Sequence, residues 1–248
     1  MFIDTHCHLS IEDYEDIDKV VKENIESGVK KLIVSACTKN TFEEALALAK
    51  KYDSIYVTLG FHPSEVDTTD ADLELLEELL KTDKVVGVGE IGLDYHYGKD
   101  DIDMQKELFE KQLVIAEKLN LPVVIHSRDA VNDTIETLKK HNVKGVIHCF
   151  SGSVETADIY IKLGYKLGIG GVVTFKNSNL YKVVEHVGLD NIVLETDSPY
   201  LAPEPFRGKQ NSSKYIPVIA TKIADILNVS LSEVEEKTTK TASNLFDL

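Results

Sequence analysis

The sequence predicts an α/β protein: residues 1–248 are expected to form a single (β/α)8 or TIM barrel, with parallel strands, an outer ring of helices and an extra C-terminal helix. Short apolar runs alternate with amphipathic segments along the chain. Several runs, such as VVGVG and GVIHCF, are continuously apolar, which is typical of strands buried on both faces of a parallel sheet. Eight such runs favour a closed barrel over a doubly wound open sheet, which commonly has about five to seven strands.

Each element follows from a local pattern. The β-rich apolar runs predict strands at residues 2–7, 31–36, 55–60, 84–89, 121–126, 144–149, 165–170 and 191–195. Helical spacing of apolar residues predicts helices at 41–52, 70–81, 103–119, 131–140, 153–163, 177–187, 214–228 and 230–240. Asp70 and Ser153 are expected to cap their helices, and Ser230 with Glu233 has the spacing of a capping box.

Composition limits the partners. The formal net charge of −15 repels nucleic acid and anionic membranes at long range, which argues against a broad DNA-coating surface. It leaves room for a small site where metal ions and a few cations meet a phosphate. No run approaches the roughly 20 apolar residues of a membrane span, and the N-terminus lacks a signal-peptide pattern, so a cytoplasmic protein without membrane contact is expected. The sequence makes no prediction of an oligomeric partner.

The cysteines do not predict disulfides. Cys7, Cys37 and Cys149 are odd in number and have no framework spacing. Cys7 and Cys149 adjoin histidines, so they could be thiolate ligands or small buried side chains. Strand alternation favours burial, because Cys7 points away from a face shared by His6 and His8.

Polar residues gather where the predicted strands end. The chemistry of a barrel lies at the C-terminal ends of its strands, and six of the eight histidines fall there or just beyond: His6, His8, His62, His96, His126 and His148. Glu90 and Asp197 follow strands four and eight in the same way. Burying so many titratable groups together is costly unless something pairs with them. A metal centre removes that cost, since its charge stabilises carboxylates and accepts neutral imidazoles.

The number of these residues suggests two divalent ions. The predicted metal ligands are His6, His8, Glu90, His126, His148 and Asp197. His6 and His8 are two residues apart on a strand and therefore point the same way. Strands one and eight would hold one ion, strands five and six the other, and the two oxygens of Glu90 would bridge them. Such mixed ligands suit Zn²⁺ or Mn²⁺, and Mg²⁺ less readily.

Two arginines predict where an anion would bind. Arg128 and Arg207 are the only arginines, and both lie just beyond predicted strand ends. Their planar guanidinium matches phosphate oxygens, so they and His62 are expected to hold the substrate. The alternatives are structural ion pairs for the arginines and a buried turn position for His62. Asp94 is expected to orient a metal ligand from behind.

Six segments also resemble a known family, the TatD-like metal-dependent deoxyribonucleases. They are DTHCHL at 4–9, GFHP at 60–63, GEIGLDY at 89–95, IHSRDA at 125–130, HCFSG at 148–152 and ETDSPYLAP at 195–203. The resemblance covers nearly the whole chain. It implies a barrel, a divalent metal centre with the same six ligands, and phosphodiester hydrolysis, often by a 3′-to-5′ exonuclease on DNA. One departure is Gln210-Asn211-Ser212-Ser213, where the family usually has a basic residue, Asn, Glu and Pro.

These observations favour a divalent-metal-dependent hydrolase whose substrate is DNA or another phosphoester. Asp197 and Glu90 are the predicted catalytic residues, and Asp197 would also accept the proton of the attacking water. Three alternatives stay open: a hydrolase of small phosphate esters, amides or lactones, a metal-holding binding protein without turnover, and a deacylase acting on tRNA. The chain has no G-x-S-x-G elbow of a serine hydrolase.

Overall fold

A computed structural model describes residues 1–96, 98 and 100–248 of the protein. Eight parallel strands lie side by side in chain order and form a TIM barrel, as the sequence predicts. The strands are β1 (Phe2–Cys7), β2 (Val29–Ala36), β3 (Ile55–Leu59), β4 (Val85–Asp94), β5 (Val123–Arg128), β6 (Gly145–Ile147), β7 (Tyr165–Ile169) and β8 (Ile192–Leu194).

Helices surround these strands. In the described part of the chain they are α1 (Ile17–Glu26), α2 (Lys39–Lys51), α3 (Asp70–Leu79), α4 (Ile102–Leu119), α5 (Val131–Leu138), α6 (Val154–Lys162), α7 (Leu180–Val187), α8 (Ile216–Leu227) and α9 (Leu231–Phe246). Helix α9 is the predicted extra C-terminal helix. In the same part of the chain, no helix is both long enough and apolar enough to cross a membrane.

The barrel closes where the last strand meets the first. The hydroxyl of Thr5 donates to the carbonyl of Leu194 at 3.0 Å. Just beyond β8, the backbone N–H of Asp197 donates to the carbonyl of His6 at 3.0 Å. These bonds hold the C-terminal ends of β1 and β8 together, so residues from both strands reach one site.

Several elements differ from the predictions, and the largest shifts of a boundary are at the C-terminal ends of β4 and of α9, which continues to Phe246 instead of ending at residue 240. Strand β4 continues past residue 89 to Asp94, because Ile91–Asp94 pair in register with Ile125–Arg128 of β5. Helix α1 is absent from the predicted helices, although Ile17, Val20, Val21 and Ile25 have helical spacing and Asp16 caps the helix, so the sequence carried a signal that the prediction missed.

The helix caps were predicted with one error. Ser153 and Ser230 cap α6 and α9, and each side chain accepts a hydrogen bond from the backbone three residues on. The prediction that Asp70 caps α3 is wrong, because Asp70 is the first residue of that helix. The cap is Thr69, whose hydroxyl accepts from the backbone of Asp72 while the Asp72 carboxylate accepts from the backbone of Thr69.

Apolar side chains fill the N-terminal end of the barrel. Seven buried residues form this basal cluster: Ile3, Ile33, Val124, Val146, Val193, Ala242 and Phe246. The first five come from strands and the last two from α9, so the extra helix packs against that end of the barrel. This packing leaves the opposite end for polar chemistry.

Candidate metal centre

The C-terminal strand ends surround a cavity of about 790 Å³. Its polar lining includes eight of the predicted site residues: His8, His62, Glu90, Asp94, His126, Arg128, His148 and Asp197. Tyr200, which the sequence analysis gave no role, also lines it. His6 lies beneath this lining and is 1% exposed. The structure therefore brings the six predicted metal ligands to one end of the barrel.

Four of their atoms form a first group, hereafter the seam group because it spans β1 and β8. Nε2 of His6 lies 3.3 Å from Nε2 of His8 and 3.6 Å from Oδ1 of Asp197. Oε2 of Glu90 lies 3.6 Å from the His6 nitrogen and 3.9 Å from that of His8. Donor atoms around a tetrahedral zinc ion are spaced by about 3.3 to 3.6 Å, so these four fit one divalent ion.

The other oxygen of Glu90 belongs to a second group, hereafter the β5–β6 group. Oε1 of Glu90 lies 2.7 Å from Nδ1 of His126 and 3.3 Å from Nε2 of His148. Nε2 of His126 lies 3.1 Å from Oδ2 of Asp94. Asp94 therefore contacts a predicted metal ligand, which is the position that the predicted orienting role of Asp94 requires. The two oxygens of a single carboxylate thus face two separate clusters of nitrogen atoms.

The charges in this cluster are strongly coupled. Burial alone would raise the pKa of Glu90, but His148, His126 and His6 lower that pKa well below its usual range. Burial and the neighbouring His148 lower the pKa of His6 well below its usual value. Glu90 and His6 therefore have the protonation states that a divalent ion requires of its ligands, whereas His148, with a raised pKa, would have to lose a proton to bind one.

Glu195 supports the site from outside the cavity, and the sequence analysis gave it no role. Its side chain is fully buried, and Oε1 lies 3.2 Å from Nδ1 of His148. The same oxygen accepts the backbone N–H of Cys149. A Cβ atom on Gly168 would lie 2.0 Å from Oε2 of Glu195, so a glycine is needed there. Burial alone would lower the pKa of His148, but Glu90 and Glu195 raise it to about 10.

Two further residues fix the seam group. Asp4 is buried and accepts from both the backbone and the hydroxyl of Thr196, at 3.0 and 2.6 Å, so it ties β1 to the segment after β8. The thiol of Cys37 donates to Oε2 of Glu90 at 3.5 Å. Cys7 is buried and donates instead to the carbonyl of Ile33, as the alternation of the strand predicts.

Of the three predicted substrate contacts, all described in the structure, His62 and Arg128 line the cavity and Arg207 does not. His62 lies with its ring centroid 4.7 Å from that of His126, and burial lowers its pKa to about 4. Its ring is therefore neutral at physiological pH and offers a hydrogen bond rather than a charge. The Arg207 guanidinium carbon lies 3.9 Å from the ring centroid of Phe175. Within the described ranges, the cavity lining includes Arg128 but not Arg207.

The loop that departs from the family pattern is well anchored. The side-chain amide of Asn211 donates to the carbonyls of Thr196 and Tyr200, at 2.8 and 2.6 Å. The hydroxyl of Ser212 donates to the side chain of Asn24 in α1. Serine at 212 therefore has a specific partner, and the loop fixes the segment that carries Asp197.

The class of protein follows from two features. The chain forms a barrel, and groups of histidine and carboxylate side chains at its mouth could hold a metal ion; together they indicate a metal-dependent hydrolase. The sequence matches the family described as TatD related DNase over residues 3–247. It is 40% identical to the uncharacterized metal-dependent hydrolase YabD of Bacillus subtilis, with 99% of each chain covered. The chain belongs to the TatD-related DNase family.

Solved structures agree with this assignment. The crystal structure of YjjV, a TatD homolog from Escherichia coli, superposes with a TM-score of 0.93 at 33% identity, covering 100% of this chain and 98% of that one. A TatD family hydrolase from Entamoeba histolytica has a TM-score of 0.89 at 24% identity, covering 99% of this chain and 97% of that one, and shows the shared fold.

Proposed function

We propose that the protein hydrolyses phosphodiester bonds of DNA from the 3′ end, using two divalent ions. The observation that carries the proposal is the placement of Glu90, whose two oxygens face two separate groups of nitrogen donors in one cavity. A phosphodiester needs charge stabilisation at both the attacking and the leaving oxygen, which a two-ion site supplies. The family name adds the preference for DNA.

Six side chains would hold the ions. The seam group, made of His6, His8, Asp197 and Oε2 of Glu90, would take one ion. His126, His148 and Oε1 of Glu90 would take the other. Bound there, Zn²⁺, Mn²⁺ or Mg²⁺ would lower the pKa of a water molecule and offset charge on the phosphoryl oxygens.

Other residues would bind substrate and move protons. Asp197 is partly exposed at the cavity, and its carboxylate would accept a proton from the attacking water. Arg128 would pair with phosphate oxygens, and His62 would donate a hydrogen bond from its neutral ring. Arg207 would contact phosphates outside the cavity, beside Phe175.

The chain would act as one domain over residues 1–248. It would work in the cytoplasm, where the three free cysteines of the protein would stay reduced.

The test compares 3′-labelled and 5′-labelled single-stranded oligonucleotides, after metal reconstitution, with and without chelator. We expect the 3′ label to be released first with Mg²⁺ or Mn²⁺ and no cleavage in chelator. Elemental analysis of the same samples should give one to two equivalents of metal, because the six predicted ligands form the seam group and the β5–β6 group. Release from the 5′ end, or cleavage that persists in chelator, would contradict the proposal.

A parallel substrate panel separates the alternatives. Cleavage of a small phosphate ester, amide or lactone without cleavage of DNA would indicate a small-molecule hydrolase, and release of an acyl group from tRNA would indicate a deacylase. Bound metal without turnover of any substrate would indicate a binding protein.

A further inference from the structure

The cavity at the barrel mouth has two chemically different sides. Glu12 and Asp13 follow β1, Glu44 lies in α2 after β2, and Tyr200 follows β8. Strands β8, β1 and β2 are neighbours around the closed barrel, so these four residues form one continuous side, hereafter the acidic side. Arg128, at the end of β5, lies on the opposite side, across the metal-binding groups.

Tyr200 is the aromatic residue of the acidic side. It is 59% exposed, although its ring lies 6.2 Å from the ring of His8 in the seam group. Its backbone is held by two hydrogen bonds. The N–H of Tyr200 donates to the backbone carbonyl of Asp197 at 2.8 Å, and the carbonyl of Tyr200 accepts from the side-chain amide of Asn211. An exposed aromatic ring on a rigid backbone, next to the seam group where we place the reacting phosphate, is suited to stacking on a nucleobase.

The charges of the two sides select different parts of a nucleic acid. Three carboxylates in a small cavity repel phosphate, whereas a base and its sugar are neutral and are not repelled. Arg128 attracts phosphate on the opposite side. A strand with its reacting phosphate at the metal-binding groups would therefore extend its other phosphates over Arg128 and place a neutral end group against Tyr200.

We propose that the acidic side binds the terminal nucleoside of the substrate, stacked on Tyr200, and rejects an end that carries its own phosphate. The inference rests on the proposed exonuclease function and specifies the substrate end that this function accepts. Water adds to the phosphorus, the bond to the 3′ oxygen of the preceding nucleotide breaks, and that oxygen takes a proton. The products are a nucleoside 5′-monophosphate and a strand one nucleotide shorter with a free 3′ hydroxyl.

The experiment compares two single-stranded oligonucleotides of one sequence, one ending in a 3′ hydroxyl and the other in a 3′ phosphate. With the metal-loaded enzyme, we expect kcat/KM to be on the order of 10-fold lower for the 3′ phosphate at low salt. The difference should shrink as salt is raised, since the Debye length falls from about 30 Å at 0.01 M to about 10 Å at 0.1 M. Equal rates on both ends at low salt would overturn the inference and leave the exonuclease proposal intact.

Charge variants identify the source of the discrimination. The double variant Glu12→Gln, Glu44→Gln keeps the side-chain oxygen of residue 44 that accepts the backbone N–H of Ile11, so the loop has no reason to unfold. We expect the ratio of the two rates to fall to about 3-fold or less in this variant. Glu43→Gln is the matched control, because Glu43 is exposed on the same helix and lies outside the cavity lining given for the described residues. An unchanged ratio in the double variant would contradict the role of the acidic side.

Stacking is tested by substrates that differ in the terminal base. Tyr200→Ala should raise KM for an ordinary 3′ end on the order of 10-fold, and Tyr200→Phe should restore it. An oligonucleotide with an abasic terminal residue should be cleaved alike by the parent protein and by Tyr200→Ala. A loss that is the same on both substrates would show that Tyr200 does not stack on the base. No cleavage of either DNA end by the parent protein would remove both proposals.

Discussion

The two ends of the barrel are built from the same strands but bury opposite kinds of side chain, apolar at one end and titratable at the other. At the N-terminal end, branched side chains of five strands pack against Ala242 and Phe246 of α9, and every member of this basal cluster is apolar. At the C-terminal end, eight histidine and carboxylate side chains lie in overlapping groups that could hold metal ions. Burial at the first end stabilises the fold through apolar contact. Burial at the second end costs stability unless a cation compensates the charges.

The sharpest test of this contrast is Glu90→Gln. Glutamine keeps the shape of the side chain but removes the negative charge between the two donor groups. We expect loss of bound metal and a fall in kcat of at least about 1,000-fold, without loss of the apo fold. Elemental analysis, kinetics and thermal unfolding of the apoprotein would be measured together. Normal metal content and rate in this variant would show that Glu90 does not bridge two ions.

The opposite end is tested by Phe246→Ala, which removes a buried ring from the basal cluster. The expected loss is about 3 to 5 kcal/mol in the free energy of unfolding, because the cavity left behind cannot fully collapse. Metal affinity of the folded fraction should stay unchanged. Phe246→Leu is the control, since it retains most of the volume and should cost less. A large change in metal affinity would mean that the two ends are not independent.

The support of the metal centre is tested by Glu195→Gln. Its carboxylate contacts His148 and the backbone of Cys149, and loss of such a partner typically weakens metal affinity by about 10- to 100-fold. Gly168→Ala should have a similar effect, because the added methyl would collide with the carboxylate. Competition with a chromophoric chelator measures the affinity, and Glu185→Gln, exposed on α7, is the control. Unchanged affinity in both site variants would assign Glu195 to the fold alone.

The smallest expected effect is that of His62→Ala, because His62 contacts substrate in our proposal but does not hold metal. We expect KM to rise about 10-fold with unchanged metal content. Since the pKa of His62 is about 4, its ring is already uncharged above that pH. The ratio of parent to variant KM should therefore stay constant between about pH 6 and pH 8. A ratio that rises toward one as the pH rises through this range would show that His62 acts as a cation.

The sequence predicted the barrel and the convergence of its polar residues because both depend on local patterns. Runs of apolar residues mark strands, and parallel strands in a barrel end on the same side, so His6, His148 and Asp197 could be placed together without knowing any contact. The ends of individual strands depend instead on pairing between segments that are far apart in the sequence. The continuation of β4 to Asp94 depends on its register with β5, which no local pattern contains.

The supporting residues could not be found in the same way. Asp4 and Glu195 were visible at strand ends, but their roles depend on partners such as Thr196 and His148 in the folded chain. Arg207 shows the reverse problem. Its position after strand eight placed it near the mouth, but its side chain stacks on Phe175, a direction that sequence position does not specify.

The seam between β1 and β8 has a consequence for synthesis of the enzyme. His6, His8 and Glu90 precede Asp197 in the sequence, so a growing chain lacks one member of the seam group until the segment after β8 has been made. A divalent ion held by all four members would bind only after the ring of strands has closed, and its binding would then favour the closed form by mass action. If the seam group holds an ion as we propose, the enzyme would be inactive while it is being made and would gain activity when the first and last strands meet.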